Sequence, residues 1–454
     1  MARSATQNRP VWQRIPLYAQ IAIALLLAIC VGSLLGAGQP NPTSIPLIKN
    51  LAIPCDLVLK ALRALATPLI LLAVLHSFLT ASIPGRSGRK LALLLFTNTL
   101  IAILIGLIVA NVLQPGQWGQ INPVTADTPH FTKPLDPWGL LQDMVPEAVL
   151  QPLVTNNVLQ LIFLALAFGI VLRGLKAEQV LKKQTGYQAI EQSVTFLFEA
   201  VIRILHWVIA LVPLAVFGIV TRTIALQGFA PFKALGAFVI AVLVALFLQA
   251  CYYSLRVKYG SWVSLKRFWN GASDALITAF STASSTATMP VTFEALMNKI
   301  GVRESSASLG ALVGSNFNND GTALYEAMSA LFVAQVLNLN LSLSQQIIVV
   351  LTSIIASVGA AGIPEAGLVT MTLVFSAVGL PTHYIALLIT VDWFLDRCRT
   401  AINVMGDMTI SCLIDGKHLP HQPPKIDQCE AELSISLVGS LAKADEHNPP
   451  WSEV

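Results

Sequence analysis

Polar and charged side chains recur at helical spacing inside the apolar segment 382–414. They are Asp392, Asp396, Arg399, Asn403 and Asp407, separated by 4, 3, 4 and 4 residues. At roughly 100° per residue, all five lie within about 80° of one helical face. Three carboxylates share this face with one guanidinium, so one or two of them need a cation from elsewhere, such as sodium or a substrate ammonium. Structural ion pairs between helix neighbours are the alternative, although charges inside a membrane usually mark function.

A second segment, Gly314–Glu326, is rich in side-chain oxygens around a helix-breaking glycine, Gly321. Its oxygen-bearing residues are Asn316, Asn318, Asn319, Asp320 and Thr322. Hard cations prefer such ligands. A calcium loop is excluded, because Ala327 stands where that loop needs a bidentate glutamate. A break in an intramembrane helix also frees backbone carbonyls, so the segment predicts a sodium site beside Asp320 and Asp407.

Glu326 lies further along the same segment, without a lysine or arginine next to it. A carboxyl group in such a place within a membrane is commonly protonated, because burial disfavours its charged form. Glu326 is therefore a candidate proton carrier. A neutral carboxyl that only bonds two helices together explains the spacing equally well.

Two further segments carry small and polar residues at places where the chain should be inside the bilayer. They are Ala279–Leu296 and Ser353–Leu380. Irregular backbone at that depth is tolerated only where protein buries it or where it lines a cavity. Each segment has two apolar arms and a small-residue tip, which predicts two re-entrant helical hairpins. The tips, Ser281–Thr286 and Gly359–Pro364, offer hydroxyl and amide groups that can hold a carboxylate, although tight helix crossings also use such residues.

The composition is typical of a membrane protein. Of the 454 residues, 55% are hydrophobic and 11% are charged, against roughly 25% charged residues in a soluble domain. The net charge of +4 is spread along the chain, so no basic block indicates a nucleic-acid partner. The six cysteines have no CxxC spacing, which argues against a zinc site or a disulfide framework. No cofactor is predicted apart from coupling ions.

Six apolar runs in the first part of the chain are long enough to cross a bilayer, which takes about 20 residues. They are residues 16–37, 51–80, 91–113, 150–174, 195–223 and 231–256. Lysine and arginine gather before the first run and after every second run, which predicts a cytoplasmic N-terminus. The last of these basic clusters comprises Arg256, Lys258, Lys266 and Arg267. The first run lacks a clear cleavage site and is predicted to be a span, not a signal peptide.

The chain ends and outer loops indicate a location. Residues 1–15 are expected in the cytoplasm, and the polar residues 416–454 are expected to form a flexible cytoplasmic tail. The protein is predicted to be multi-pass, in a plasma membrane or a bacterial inner membrane. The lack of a long glycosylated outer loop favours the bacterial membrane without excluding the other.

Four motifs in the second half of the chain resemble a known family in order and spacing. They read STASSTATMPVTFEAL from Ser281, NNDGTALYEAMSALFVAQ from Asn318, GAAGIPEAGLVTM from Gly359 and VDWFLDRCRTAINVMGD from Val391. Together they resemble the core motifs of the dicarboxylate/amino acid:cation symporter family, and most of all the excitatory amino acid transporters and bacterial glutamate/aspartate symporters. The resemblance is clear over about residues 260–415 and looser over the preceding spans.

The resemblance implies an all-α integral membrane protein with eight transmembrane helices and two re-entrant hairpins, assembled as a homotrimer among membrane lipids. Residues 16–260 would form mostly scaffold and trimerisation spans, with spans 3 and 6 partly in the transport domain. Residues 261–415 would form the transport core, composed of hairpin 1, span 7, hairpin 2 and span 8. This core would carry the substrate across the membrane by an elevator motion.

By the same resemblance, one set of residues would bind an acidic amino acid. Asp396 would hold its ammonium, and Arg399 with Thr322 its side-chain carboxylate. Asn403 and the tip of hairpin 1 would hold its α-carboxylate. The implied set is Ser284, Ser285, Thr322, Gly362, Asp396, Arg399, Thr400 and Asn403. The planar guanidinium of an arginine suits this role, since it can bind a carboxylate through two parallel hydrogen bonds.

The resemblance also implies three sodium sites. The first would comprise Gly314, Asn318, Asn403 and Asp407. The second, beneath hairpin 2, would comprise Ser357, Val358 and Ala360. The third would comprise Asp320 and Asn318 with Asn98 and Thr99 of span 3. Two positions depart from the family pattern, because Asn319 replaces a methionine and Leu95 stands where a tyrosine is usual. These changes leave the number of bound sodium ions open.

The position of Glu326 matches the one that is thought to carry the proton in glutamate carriers of the animal type. Arg397 and Ala283 also follow that type. Co-transport of a proton and counter-transport of potassium are therefore left open as additions to sodium coupling.

Together these features predict a secondary active symporter that imports glutamate or aspartate with sodium, not an enzyme. A membrane aspartyl protease is excluded by the missing Gly-x-Gly-Asp motif before Asp407. A channel or receptor is a second alternative, which accumulation against a gradient would distinguish. Within the family, the alternatives are a proton-coupled carrier and a carrier of four-carbon dicarboxylates. A dicarboxylate has no ammonium, so it would leave Asp396 without a partner.

Overall fold

The computed structural model describes residues 16–35, 48, 50–80, 85–119, 145–155, 158–359, 362 and 366–417. Most of these residues are helical, and no β-strand occurs among them. This agrees with the all-α class expected from the sequence. The predicted N-terminal segment 1–15 and nearly all of the predicted tail 416–454 lie outside the described residues.

Eight helices occur before residue 261 in the described part of the chain. They are α1 (Leu17–Leu34), α2 (Ile53–Thr80), α3 (Gly85–Leu113), α4 (Gln151–Thr155), α5 (Val158–Leu181), α6 (Gly186–Ile209), α7 (Val212–Gln227) and α8 (Ala230–Gly260). The predicted fifth span, 195–223, is divided between α6 and α7. The division falls at Pro213, which lies in the first turn of α7, where a missing N–H costs no hydrogen bond.

A further eight helices follow within the described residues. They are α9 (Leu265–Thr282), α10 (Ser285–Glu294), α11 (Glu304–Ser308), α12 (Gly314–Phe317), α13 (Asp320–Val336), α14 (Leu343–Gly359), α15 (Ala366–Ala377) and α16 (Ile385–Asp415). Wider π-helical turns at Ala295–Ile300 and Leu309–Val313 continue α10 and α11.

Length and composition qualify five helical segments of the described chain as membrane spans. They are Leu17–Leu34, Ile53–Thr80, Gly88–Gln117, Gly186–Leu226 and Pro231–Gly260. The predicted total of eight is not reached by these criteria. One reason is visible in α16, the predicted eighth span, which is 31 residues long but carries the charged stripe.

Large apolar side chains face outwards on these helices. Leu57, Ile108 and Phe247 are each more than half exposed, at 58%, 62% and 68%. An extended apolar surface of this kind is unfavourable in water, whereas lipid tails cover it at no cost. The described helices therefore have the surface of a membrane protein.

The first predicted hairpin is formed by α9 and α10. Their connection lies at residues 283–284, where Ala283 adopts a left-handed φ of 52°. The side chain of Ser264 caps the start of α9 and that of Ser284 caps α10, accepting backbone N–H bonds of 3.3 and 3.1 Å. The hairpin is longer than the predicted range Ala279–Leu296, since the amphipathic first half of α9 carries too many polar residues to be recognised as an apolar arm.

The second predicted hairpin consists of α14 and α15, which pack against each other. Its first arm begins at Leu343, well before the predicted start at Ser353. Between the two arms, residue 362 alone is described. The predicted start of this arm was too late, because the polar residues at the start of α14 do not resemble an apolar arm.

The predicted break in a membrane helix lies between α12 and α13. Asn318 and Asn319 leave the α region, with φ and ψ of −97° and 76° and of −105° and 48°. The sequence placed this break at Gly321, which is wrong, because Gly321 lies in the first turn of α13. Gly321 has another purpose: a Cβ there would lie 2.7 Å from the carbonyl oxygen of Arg399, so the missing side chain allows α13 and α16 to approach closely.

The centre of the fold is α13, in which every residue except Gln335 is buried. It packs against α3, α8, α14, α15 and α16. A second group of contacts joins α1 to α7, and α2 to α5, α6 and α7. The candidate functional residues therefore belong to the first group of helices, around α13 and α16.

The end of α16 is held by a buried carboxylate. Asp415 accepts hydrogen bonds at Oδ1 from the backbone N and Nε of Arg303, at 3.1 and 2.8 Å. Its Oδ2 accepts from Nε1 of Trp262 at 2.7 Å. The ammonium of Lys90 donates to the carbonyl of Leu413 at 2.8 Å, so a cation also lies at the negative end of the helix dipole. These contacts fix α16 to the loops on both sides of hairpin 1 and to α3.

We expect the substitution Asp415→Asn to destabilise the protein by about 1–3 kcal/mol, because an amide has one acceptor oxygen for donors that approach from two sides. The measurement is the thermal unfolding midpoint in detergent micelles.

The matched control is Asp274→Asn. Asp274 pairs with Lys299, but their side chains are 58% and 45% exposed, so solvent screens the pair and this change should leave the melting temperature unchanged. Equal melting temperatures for the two variants would contradict the importance of the Asp415 contacts.

Candidate functional site

A fully buried arginine lies at the centre of the polar stripe on α16. Nη2 of Arg399 is 2.8 Å from Oδ1 of Asp396 and 3.0 Å from Oδ1 of Asp392. The guanidinium carbon lies 3.9 Å from the ring centroid of Tyr325, which is a cation–π contact. The helical spacing of 4 and 3 residues thus brings both carboxylates to one nitrogen, which is the ion-pair arrangement that the sequence analysis gave as the alternative.

Two nitrogens of the same guanidinium remain available. Nε and Nη1 of Arg399 have no hydrogen-bond partner among the described residues, although both are buried. A Cβ at Gly367 of α15 would lie 3.1 Å from Nη1, so the glycine leaves room for the guanidinium. Buried donors of a cation are costly when unpaired, and a carboxylate is the partner that suits them best.

Asn403 connects this stripe to the broken helix. Its Oδ1 accepts a hydrogen bond of 2.7 Å from the backbone N of Gly321, and its Nδ2 lies 3.3 Å from Oγ1 of Thr322. Its backbone carbonyl accepts from Nδ2 of Asn318 at 3.1 Å. One turn along α16, Thr400 donates its hydroxyl to the carbonyl of Asp396 at 2.8 Å. Asn403 thereby brings Thr322 to the same face as Arg399.

The tips of the two hairpins meet. The carbonyl of Gly362 accepts a 2.7 Å bond from the hydroxyl of Ser284 and a 3.1 Å bond from the backbone N of Thr286. Ser285, the first residue of α10, is buried. The guanidinium of Arg397 donates to the carbonyl of Ser281 at 2.6 Å, which joins α16 to hairpin 1 beside its tip. The predicted serines and Gly362 thus lie together, next to the helix that carries Arg399.

The first predicted sodium set contains side-chain oxygens that are available to a cation. Oδ1 of Asp407 and Oδ1 of Asn318 are buried without a hydrogen-bond partner among the described residues. A Cβ at Gly314 would lie 2.5 Å from Oδ1 of Asp407, and a Cβ at Gly406 would overlap Nδ2 of Asn318, so both side chains lie where glycines leave space. The donor chemistry fits a hard cation. No cluster of three or more histidine, cysteine or acidic residues occurs in the described chain, so one carboxylate with amide and carbonyl oxygens is the arrangement found here.

The second predicted sodium set is only partly described. The carbonyl of Ser357 accepts a 3.0 Å bond from Nδ2 of Asn319, which connects α14 to the helix break. Ala360 and the side chain of Val358 lie outside the described residues. The substitution of a methionine by Asn319 therefore adds a polar contact between hairpin 2 and the broken helix.

In the third predicted set, Asp320 and Asn98 already have protein donors on their oxygens, whereas Oδ1 of Asn318, which this set shares with the first, is unpartnered. Oγ1 of Thr99 lies 2.6 Å from Oδ1 of Asp320, and the hydroxyl of Tyr253 donates to Oδ2. Oδ1 of Asn98 accepts from Nη1 of Arg256. These side chains do not present free oxygens to a cation as they stand, unlike the side chains around Asp407.

Sequence reasoning missed Tyr253, Tyr325 and Arg256, which contact the site from helices distant in sequence. Tyr253 and Arg256 are three residues apart near the end of α8, and the sequence assigned Arg256 only to a cytoplasmic basic cluster. Their spacing could have revealed a shared helical face, but not what that face contacts.

Glu326 is fully buried in α13. Its Oε1 accepts a hydrogen bond from the hydroxyl of Thr370 on α15, while Oε2 has no partner among the described residues. No ion pair of Glu326 occurs in the described part of the chain. Both explanations offered by the sequence, a proton carrier and a neutral bond between helices, are compatible with this environment.

The fold and the site define a class of protein. Apolar helices enclose a broken helix and two hairpins, and charged and oxygen-rich groups gather at the breaks. Discontinuous membrane helices with polar groups at their breaks are the usual substrate and ion sites of secondary transporters.

Comparison with known proteins identifies the family. Residues 17–417 match the sodium:dicarboxylate symporter family, and the chain belongs to it. The chain is 30% identical to excitatory amino acid transporter 1 of Ambystoma tigrinum, with 91% of this chain and 85% of that protein covered. It is 32% identical to excitatory amino acid transporter 4 of Mus musculus, over 92% and 86%. It is 28% identical to excitatory amino acid transporter 3 of Homo sapiens, over 95% and 91%.

The family assignment confirms the resemblance drawn from the four motifs, and it covers every residue of the candidate site. The family consists of membrane transporters, so at this level the protein is a transporter and not an enzyme. Sodium is the coupling ion that the family name specifies.

We expect Tyr253→Phe to lower stability by about 1–3 kcal/mol, because it leaves Oδ2 of the buried Asp320 without a donor. The thermal unfolding midpoint in detergent micelles measures this change. Tyr259→Phe is the control, since Tyr259 is 67% exposed on the same helix. If both variants melt at the wild-type temperature, the contact between Tyr253 and Asp320 does not stabilise the fold.

Proposed function

We propose that this protein is a symporter that imports glutamate or aspartate together with sodium. The observation that carries the proposal is the buried guanidinium of Arg399, which is held on one side by Asp392 and Asp396 and has two unpartnered nitrogens. A buried cation with free donors is a binding group for an anion. The carboxylate of an acidic side chain is the anion that fits it.

The charges of the site favour an amino acid over a simple dicarboxylate. Asp392 and Asp396 bring two negative charges against the one positive charge of Arg399. An α-ammonium on the substrate would balance the remaining charge at Asp396, and a four-carbon dicarboxylate has no such group. The printed names of the relatives, excitatory amino acid transporters, support the same substrate class.

The remaining contacts of the substrate would come from the residues around Asn403 and the hairpin tips. Thr322 would complete the site of the side-chain carboxylate, because Asn403 brings it to the face of Arg399. Asn403, Ser284 and Ser285 would receive the α-carboxylate, with Gly362 closing over it. Thr400 lies between these groups on α16.

Sodium binding is best supported at Asp407, Asn318 and Gly314, where buried oxygens converge without donors. Bound there, sodium would neutralise Asp407 next to the helix break that positions Thr322. The residues would supply carboxylate and amide oxygens, and Asn403 would add its backbone. Coupling follows because one asparagine then belongs to both the ion site and the substrate site.

Glu326 is the candidate for an additional proton, since its carboxyl is buried against Thr370 and one of its oxygens is unpartnered. A proton-coupled carrier of the same family is the second candidate, and the burial of Glu326 is the observation that favours it.

The two groups of helices support the proposed elevator motion. The group around α13 and α16 would move as the transport core, with α3 and α8 partly in it, and the group of α1, α2, α5, α6 and α7 would form the scaffold of a homotrimer in lipid. We place the protein in a plasma membrane or bacterial inner membrane, with both termini in the cytoplasm.

The first test is uptake of labelled aspartate and glutamate into proteoliposomes, with and without an inward sodium gradient, for the wild type and Arg399→Cys. We expect sodium-driven uptake by the wild type and a loss of about 100-fold or more in the variant, because a buried carboxylate loses its partner.

Arg203→Cys, which removes an exposed arginine of α6, is the control and should transport normally. Uptake driven by a proton gradient alone would favour the proton-coupled alternative. Uptake of succinate in preference to both amino acids would favour the dicarboxylate carrier.

The geometry around Gly367 gives a finer prediction. In Gly367→Ala, the new methyl group would meet Nη1, Nη2 and Cζ of Arg399 at 3.1 to 3.3 Å, so the guanidinium must shift. We expect the Kd of aspartate to rise about 10-fold with little change in melting temperature, since small displacements of a binding group are costly.

Gly236→Ala on α8 is the matched control, because a Cβ there meets no atom within 4 Å. The measurement is aspartate binding by isothermal titration calorimetry in detergent. An unchanged Kd in Gly367→Ala would argue against Arg399 as the substrate contact.

A further inference from the structure

Arg256 brings a permanent positive charge to the third predicted ion site. It lies near the end of α8, with its side chain partly buried. Nη1 donates to Oδ1 of Asn98 on α3 and lies 3.2 Å from the hydroxyl of Tyr252. The guanidinium carbon is 5.6 Å from the ring centroid of Tyr252. These contacts direct the guanidinium inwards, away from the basic cluster to which its sequence position assigned it.

Asn98 is fully buried, and its orientation follows from Arg256. The amide oxygen faces the guanidinium, while the amide nitrogen has no partner among the described residues. An oxygen that would serve a cation is therefore used by a cationic side chain. The residue at this position does present an oxygen, as the sequence predicted, but to Arg256.

The carboxylate of the site, Asp320, is surrounded by donors. Thr99 lies 2.6 Å from one oxygen and Tyr253 donates to the other. Asp320 makes no ion pair within 4 Å in the described chain, but Arg256 contacts Asn98, and the next residue, Thr99, contacts Asp320. A permanent positive charge thus lies near this buried carboxylate within the chain itself.

Sodium does not fit this site while Arg256 is in place. Hydroxyl groups such as those of Thr99 and Tyr253 can turn and offer lone pairs, but a guanidinium cannot lose its proton. A sodium ion between Asp320 and Asn98 would lie next to another positive charge, and like charges repel strongly where water is scarce. The disagreement between the predicted ligands and the observed contacts is therefore one of charge, not only of geometry.

The region around Asp407 provides the contrast. There, Oδ1 of Asp407 and Oδ1 of Asn318 are buried without a donor in the described structure. The hydroxyl of Tyr253 lies close to both places, because a Cβ on Gly406 would meet it at 2.8 Å. The two buried carboxylates thus have different surroundings. Oδ1 of Asp407 is available to an ion, whereas Asp320 lies near the cationic side chain of Arg256.

We propose that the guanidinium of Arg256 is a built-in cation that replaces one coupling sodium between Asp320 and Asn98, so that substrate is bound with one sodium fewer than three. The inference rests on the proposed sodium-coupled uptake of acidic amino acids. A fixed cation does not exchange with solution, so this site contributes nothing to the sodium dependence of substrate binding.

The purely structural alternative is that Arg256 only holds α8 against α3. In that case its removal would weaken the protein without changing how many ions bind. The two explanations differ in an equilibrium quantity, the number of sodium ions bound together with the substrate.

That number is the slope of the logarithm of aspartate affinity against the logarithm of sodium concentration, measured by calorimetry on the purified full chain. We expect a slope of about two for the wild type and about three for Arg256→Gln, which removes the charge. Lys258→Gln, which changes an exposed lysine two residues further along α8, should keep the wild-type slope.

A second variant makes the test independent of one substitution. Adding Asn98→Asp to Arg256→Gln gives the site a second carboxylate, and we expect the sodium concentration for half-maximal aspartate binding to fall about 10-fold. Asn98→Asp alone should leave the slope unchanged, because Arg256 then pairs with the new carboxylate.

The outcomes separate the inference from the proposed function. A wild-type slope of about three overturns the inference even if Arg256→Gln fails to fold. An unchanged slope in a folded Arg256→Gln, with weaker affinity only, also overturns it and assigns Arg256 a structural role. Aspartate binding that does not depend on sodium at all would instead overturn the proposed sodium coupling.

Discussion

The structure depends above all on the burial of one charge, the guanidinium of Arg399. Removing such an ion from water costs several kcal/mol, and the cost must be offset by nearby groups. Asp392 and Asp396 offset it along the same helix, and the ring of Tyr325 does so from α13. The close approach of α13 and the room beside α15 exist because Gly321 and Gly367 lack side chains. The central helices are therefore arranged so that neighbouring groups offset the free-energy cost of burying this cation.

The sequence predicted those parts of the site that lie within one regular element. The stripe on α16 could be derived from spacing, because the helix runs without interruption through all five residues. The hairpins were recognised by their small-residue tips, but their arms were placed too short where they become amphipathic. The break of α13 was assigned to a glycine, whereas two asparagines form it. Contacts from α8, such as that of Tyr253, could not be predicted, since periodicity gives a face and not its neighbour.

Asp320 and Asp407 illustrate why residue type alone does not define an ion site. Both are buried aspartates close to the same tyrosine hydroxyl. Donors from α3 and α8 surround Asp320, while Asp407 faces a glycine and an unpartnered amide oxygen. The environment therefore decides whether a carboxylate is available to an ion or is already satisfied by the protein.

The contact between the hairpin tips also determines how the site is reached. Its described part consists of two hydrogen bonds to the carbonyl of Gly362. Such bonds are worth about 0.5–1.5 kcal/mol each, so together they favour the closed tips by only about 1–3 kcal/mol. These two bonds alone would leave the tips parted in about 0.6–16% of the molecules at equilibrium, without any ligand. In the proposed carrier, tighter closure would require a further contribution to the free energy, and the bound substrate and ions are one source of it.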